Sequence, residues 1–307
     1  MRAPSCPAFL LLVCTLLAAA CSRSSPQEPP KPPPPPLEYL GQWGVHGDGP
    51  GQLKEPVAIA VDSVGKVYIA DRGSKFIHKF DAYGRPLLSF QDNWLSFPDG
   101  IAVDRGGAIY VADPARGIIA IFIPEGEHLH QIRSAQPSRL KSPLRVAVDD
   151  DGNIFVADAQ RNRVQRFDPR GRLVKTWGDR EAGDARLGAP SDLATGVDGF
   201  LYVSDTDHAR IVKFDRDGNF VAAFSLPPEV RATLGPIAVS AKHVFAADPN
   251  AHRLYIWTVE GQYERGKDLG ARIQGDDPSP RGLAIGARGE LLLLDPGGRV
   301  LRFRVNF

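Results

Sequence analysis

The chain has very little sulfur: 307 residues include 3 cysteines and 1 methionine. Cys6 and Cys14 lie in the first twenty residues, so a chain trimmed of that stretch keeps only Cys21. A lone cysteine closes no internal disulfide, and this excludes a disulfide scaffold. Charge of one sign is also lacking, with 37 basic and 36 acidic residues. That balance gives no reason to expect nucleic acid or an anionic surface as a partner. Long hydrophobic runs are missing too. The run "AFLLLVCTLLAAA", Ala8 to Ala20, is thirteen residues, too short to span a bilayer as a helix. No stretch repeats with the period of a long amphipathic helix. There is no Gly-x-Ser-x-Gly nucleophile elbow and no glycine loop placed to cradle phosphate before a helix.

What is present begins with a leader. Arg2 precedes the apolar run, which ends in "LAAAC", Leu17 to Cys21. Residues 1–20 read as a signal peptide. Small residues directly before a cysteine resemble the lipobox of bacterial lipoproteins. The resemblance implies that Cys21 is the first mature residue and carries lipid. Ser22 in place of Asp then implies outer-membrane retention. The alternative is an ordinary signal peptide cut near Ala20. Residues 21–36 follow as the lipidated cysteine and a proline-rich tether, "SRSSPQEPPKPPPPP" after Cys21. Proline fixes the backbone and removes amide donors, so this run predicts an extended polyproline II spacer. At ~3.1 Å per residue it reaches ~45 Å from a membrane. A proline-rich ligand for another domain is the rival reading.

Residues 37–307 repeat themselves. "PVAIAVDSVGKVYIADRGSKFIHKFDAYGRPLLSF" from Pro56 is matched by "PLRVAVDDDGNIFVADAQRNRVQRFDPRGRLVKTW" from Pro143. Further copies start at Pro98, Pro190, Leu234 and Pro280. An aspartate closes the second apolar run of each: Asp71, Asp113, Asp158, Asp205, Asp248 and Asp295. These lie 42 to 47 residues apart, and a buried-type aromatic follows each by nine residues, or eight in the last copy. A complete copy holds four short β-rich runs, and the first two are joined by a turn with Gly or Asp-Gly in five of the six copies. Four antiparallel strands in that length make one propeller blade. The fold class is therefore all-β, a six-bladed β-propeller. The phrases "WGVHGDGPGQLKEP", "IAVD…G.VYIAD" and "RVQRFDPRGRLVKTWG" resemble the NHL repeat family of propellers. The sixth copy stops after its third run, while "LEYLGQWG" at Leu37 has the character of a fourth, like "RLVKTWG". Residues 37–44 are thus expected to complete the last blade and close the ring.

A group that recurs in every copy serves the repeat. The six aspartates are expected to cap the turn after strand two, with Arg163, Arg210, Arg253 and Arg299 as partners. The non-repeating positions carry the functional candidates. Each first strand enters the central channel just after its proline, and there Asp99, Arg145, Asp192 and Arg281 converge on one mouth. Trp94, in the loop "QDNWLSFPDG", faces the same side. A concave mouth with a few polar groups is the default binding site; the competing reading is that the four charges merely neutralise one another. The sequence reading assigns no catalytic residue, no cofactor and no metal ligand, because the seven histidines are scattered and no set of three or four ligands is apparent. The function it favours is a binding or scaffold module for an envelope protein, peptide or glycan, anchored as a monomer through lipid on Cys21. The alternative is a metal-dependent hydrolase or lyase using the channel, since such enzymes occur among propellers that resemble this one.

Overall fold

A computed structural model describes residues 37–133, 139–179, 183–269 and 280–306. Cys21, the leader and the proline-rich run lie outside the described residues.

Among the described residues there are twenty-four strands, from β1 (Leu37–Trp43) to β24 (Arg299–Val305), and no α-helix. They form six sheets of four antiparallel strands each, a six-bladed propeller. In five sheets the strands are consecutive; the sixth has the order β1-β24-β23-β22, where β23 is Leu291–Asp295 and β22 is Gly282–Ile285. The N-terminal strand therefore supplies the fourth strand of the last blade. Leu37 pairs with Val305 and Trp43 with Val300, with a bulge between Tyr39 and Gly41.

The side chains of β1 behave as those of a fourth strand should. Trp43 packs on Phe80 of blade one at 4.9 Å between ring centroids. Trp177, in the fourth strand of blade three, packs on Phe214 of blade four at 6.0 Å. Each indole also fills the space where a side chain at the next blade's turn glycine, Gly84 or Gly218, would sit. Sheets splay outward from an axis, so the gap between them widens with radius. The repeat aromatics Phe80, Phe122, Phe167, Phe214, Trp257 and Phe303 fill it, all buried in third strands.

Near the axis there is no room for such groups. The fifth residue of every entry segment is alanine: Ala60, Ala102, Ala147, Ala194, Ala238 and Ala284. Each packs against the branched residue before that position in the next blade, Ala102 on Val146 and Ala284 on Ile59 being two instances. The contact passes all the way round the ring.

Five of the six aspartates tie their blade to the crossing that enters it, and Asp295 is held by Gly297 and Arg299 of its own turn. Asp71 accepts amide hydrogen bonds from Lys54 and Glu55 of the crossing and from Ser74 of its own turn. Asp113 does the same with Ser96, Phe97 and Arg116. All six are buried at 0–2% exposure, and amides hold an ionised carboxylate there at bearable cost. Arg163, Arg210 and Arg299 add ion pairs to Asp158, Asp205 and Asp295 at 2.8–3.0 Å. Arg253 does not. Asp248 accepts from the amides of Thr233, Asn250 and Ala251, and the exposed Arg253 lies beside Tyr255. Blade five is also the least regular at the axis, its first strand being only Ile237–Val239.

After β1 the chain turns at Gly44, whose φ of +113° an L side chain rarely adopts, and a Cβ there would collide with the Gly298 carbonyl. The seam closes only because this residue has no side chain. Gly44→Val is expected to cost at least ~2 kcal/mol of unfolding free energy, read by chemical denaturation. The same substitution at Gly49, which has a negative φ and meets only the movable end of the Gln52 side chain, is the milder control.

Candidate functional site

The first strands of the six blades enclose a cavity of about 240 Å³ on the axis. Its wall is mostly Ala, Ile, Val and Leu; Arg145, Asp192, Thr195 and Arg281 are its polar members. The polarity at the mouth arises where the repeat breaks. Two residues after the entry proline, or its Leu234 equivalent, the six blades carry Ala58, Gly100, Arg145, Asp192, Pro236 and Gly282. Four of these have little or nothing to project, which leaves the space to Arg145 and Asp192. Both sit just past a bulge in their strands, between Pro143 and Arg145 and between Pro190 and Asp192. Such bulges re-aim side chains.

Arg145 spans the mouth. One terminal nitrogen donates to the Asp99 carboxylate at 2.8 Å and to the Asp99 and Leu144 carbonyls at 2.7 and 3.1 Å. The other donates to the Val57 carbonyl of blade one at 3.3 Å. Its Nε lies 3.6 Å from Asp192. Asp192 in turn accepts from the Leu193 amide and, at 2.8 Å, from the Ile237 amide of blade five. One guanidinium and two carboxylates therefore bind five of the six blades at their inner ends. Burial holds the Asp192 carboxyl above the usual range against the opposing pull of Arg145 and the two amides.

Three of the four expected mouth charges thus meet and satisfy one another. Arg281 lines the same cavity but is exposed, and among the described residues its side chain pairs with no acid. Trp94 is not brought to the mouth. It stacks on His128, in the fourth strand of blade two, at 5.3 Å and 20°, and stays 42% exposed. Two residues were not singled out from sequence. Arg72 reaches Asp99 at 3.7 Å while bonded to Glu55 at 2.6 Å. Its signal was legible, since the other five repeat aspartates are followed by Pro, Ala or Thr. Phe97, one residue before the blade-two proline, is 50% exposed. The crossing into blade two therefore shows an aromatic at its outer end and another at its inner end.

Among the described residues no three His, Cys, Asp or Glu side chains converge as one ion requires.

Residues 140–167, the last of the crossing and three strands of blade three, match the NHL repeat family model. The chain carries an NHL repeat. Comparison with curated protein sequences finds no match. Among solved structures, streptogramin B lyase resembles this propeller with a TM-score of 0.64 at 15% identity, over 88% of this chain and 97% of that one. Virginiamycin B lyase from Staphylococcus aureus gives 0.64 at 14%, over 87% and 99%. A catalytically inactive form of that lyase with quinupristin gives 0.63 at 13%, over 87% and 99%. At these identities the likeness is one of fold, and fold does not fix function.

Removing Arg145 strands two largely buried carboxylates. Arg145→Ala is expected to lose about 2–4 kcal/mol of stability at pH 7. Burial already holds the Asp192 carboxyl up, and losing Arg145 removes a pull that opposes it, so the deficit should shrink as pH falls toward 4 and Asp192 protonates. Denaturant melts at the two pH values check this; a loss independent of pH contradicts the ion network.

Proposed function

We propose that the protein is a binding module: a rigid NHL propeller, lipid-anchored through Cys21 at the outer membrane, that captures a protein, peptide or glycan of the envelope. The observation that carries the reading is the state of the mouth. Its charges are spent on one another, which rigidifies the entry face, while Arg281, Trp94 and Phe97 on that face stay open to solvent. A stiff platform with exposed aromatics and an arginine that pairs with no acid among the described residues is the composition of a contact surface. The channel itself, at about 240 Å³, suits a small group rather than a chain.

A metal-dependent hydrolase or lyase is the second reading. Its support is the raised Asp192 carboxyl inside the axial cavity, the kind of perturbed group that acid–base chemistry uses, and the lyase names of the fold neighbours. Arg145 and two amides already hold that carboxylate, so the binding reading is preferred.

The anchor is tested by Cys21→Ser, which should move the protein from the membrane fraction to the soluble one; retention at the membrane rules the lipid out. Binding is tested by capture from envelope extract with wild-type, Arg281→Glu and Trp94→Ala baits. A specific partner should be captured by wild type and lost, by about tenfold or more, on the variants. Identical capture by all three contradicts a binding site on this face.

A further inference from the structure

The crossings that enter the blades are built alike, but their charges are not. At blade one, Lys54 pairs with Asp48 at 2.9 Å and Arg72 with Glu55 at 2.6 Å. At blade four, Arg210 pairs with Asp205 at 2.9 Å and approaches Asp184 at 3.5 Å. Blade three repeats that pair as Arg163–Asp158 at 3.0 Å but carries further cations with no such partner among the described residues. Arg139 and Lys141 of its crossing, Arg116 of the blade-two turn and Arg161 of the blade-three turn line a cavity of about 280 Å³. Among the described residues no carboxylate lines it. The Arg116, Arg139 and Lys141 side chains are exposed and make no ion pair with any described residue.

The acids of the same turns are unavailable to them. Asp113 and Asp158 are 0% exposed and face inward. Asp113 is held by three amides, and Asp158 by the Lys141 and Ser142 amides and by Arg163. The sequence between Arg133 and Arg139 contains neither Asp nor Glu. Arg116, Arg139 and Lys141 around one concavity repel each other, and an anion seated among them relieves that repulsion. Two of the three are arginines, whose planar forks fit the paired oxygens of an oxyanion. At ~30 Å³ per water the cavity holds roughly nine waters. That is more than a bare phosphate fills, and enough for a phosphate with a group of sugar size attached.

We propose that this cavity is a second binding site, for a small soluble ligand bearing a phosphate monoester. It opens on the same face as the axial mouth but shares no lining residue with it. It stands independently of the binding reading given for the mouth.

Calorimetric titration of the purified full chain at low salt tests it, with glucose 1-phosphate, inorganic phosphate and glucose as probes. Glucose 1-phosphate should bind saturably at one site, more tightly than inorganic phosphate, with glucose silent. The double substitution Arg139→Ala and Lys141→Ala should weaken it about tenfold or more, and added salt should weaken it progressively. Both side chains are exposed and contact no described partner, so the thermal midpoint of the double variant should match wild type. Arg281→Glu, at the mouth, should bind as wild type does. No saturable binding of either phosphate probe overturns the proposal. So does binding that the double variant leaves unchanged, or that Arg281→Glu abolishes.

Discussion

The pairing of β1 with β24 is the interaction on which the rest depends. The last blade has only three strands of its own, and without a fourth it would end in a long bare edge. The axial cavity needs first strands from all six blades. The Arg145 network needs blades one to five held at fixed angles. Each therefore presupposes a closed ring, and the ring closes through the first strand of the described chain. Gly44 and Gly298 let the two strands' ends approach where any side chain would intervene.

Within the ring, two kinds of residue divide the labour. The repeating ones build the disc: alanines at the narrow axis, aromatics at the wider radius, and buried aspartates that hook incoming crossings. The non-repeating ones are where the six blades stop being equivalent. Arg145 and Asp192 stand where other blades have Ala, Gly or Pro, and they lock the inner ends of five blades together. The cations around Arg139 share one cavity that no described carboxylate lines. Chemical individuality in this molecule is confined to the entry face, and it rests on a scaffold whose symmetry leaves little freedom to move.

Much of this was legible in the sequence. The six aspartate–aromatic spacings fixed blade number and strand order, and the phrase shared by Leu37–Gly44 and the end of copy three identified the closing strand. Asp99, Arg145 and Asp192 were found by asking which entry residues differ, and the fold brings them together. The rest depended on features that spacing does not encode. Arg145 reaches Val57 because glycine and alanine opposite it leave room, a consequence of six strands meeting. Trp94 shares a loop with the mouth residues, yet a crossing runs the full radius of the disc and leaves it over His128 near the rim. Arg253 keeps the repeat spacing, yet its aspartate is held by three amides and the guanidinium lies beside Tyr255. The cavity of cations is assembled from three separate stretches of chain, so no single stretch announces it.

Amide hydrogen exchange of Leu37–Trp43 tests the central claim most directly. With β1 hydrogen-bonded into the last blade, its inward amides should exchange only with global unfolding, as slowly as those of β23. Exchange of β1 at the rate of an unpaired strand, with β23 still protected, would contradict closure of the ring by the N-terminal strand.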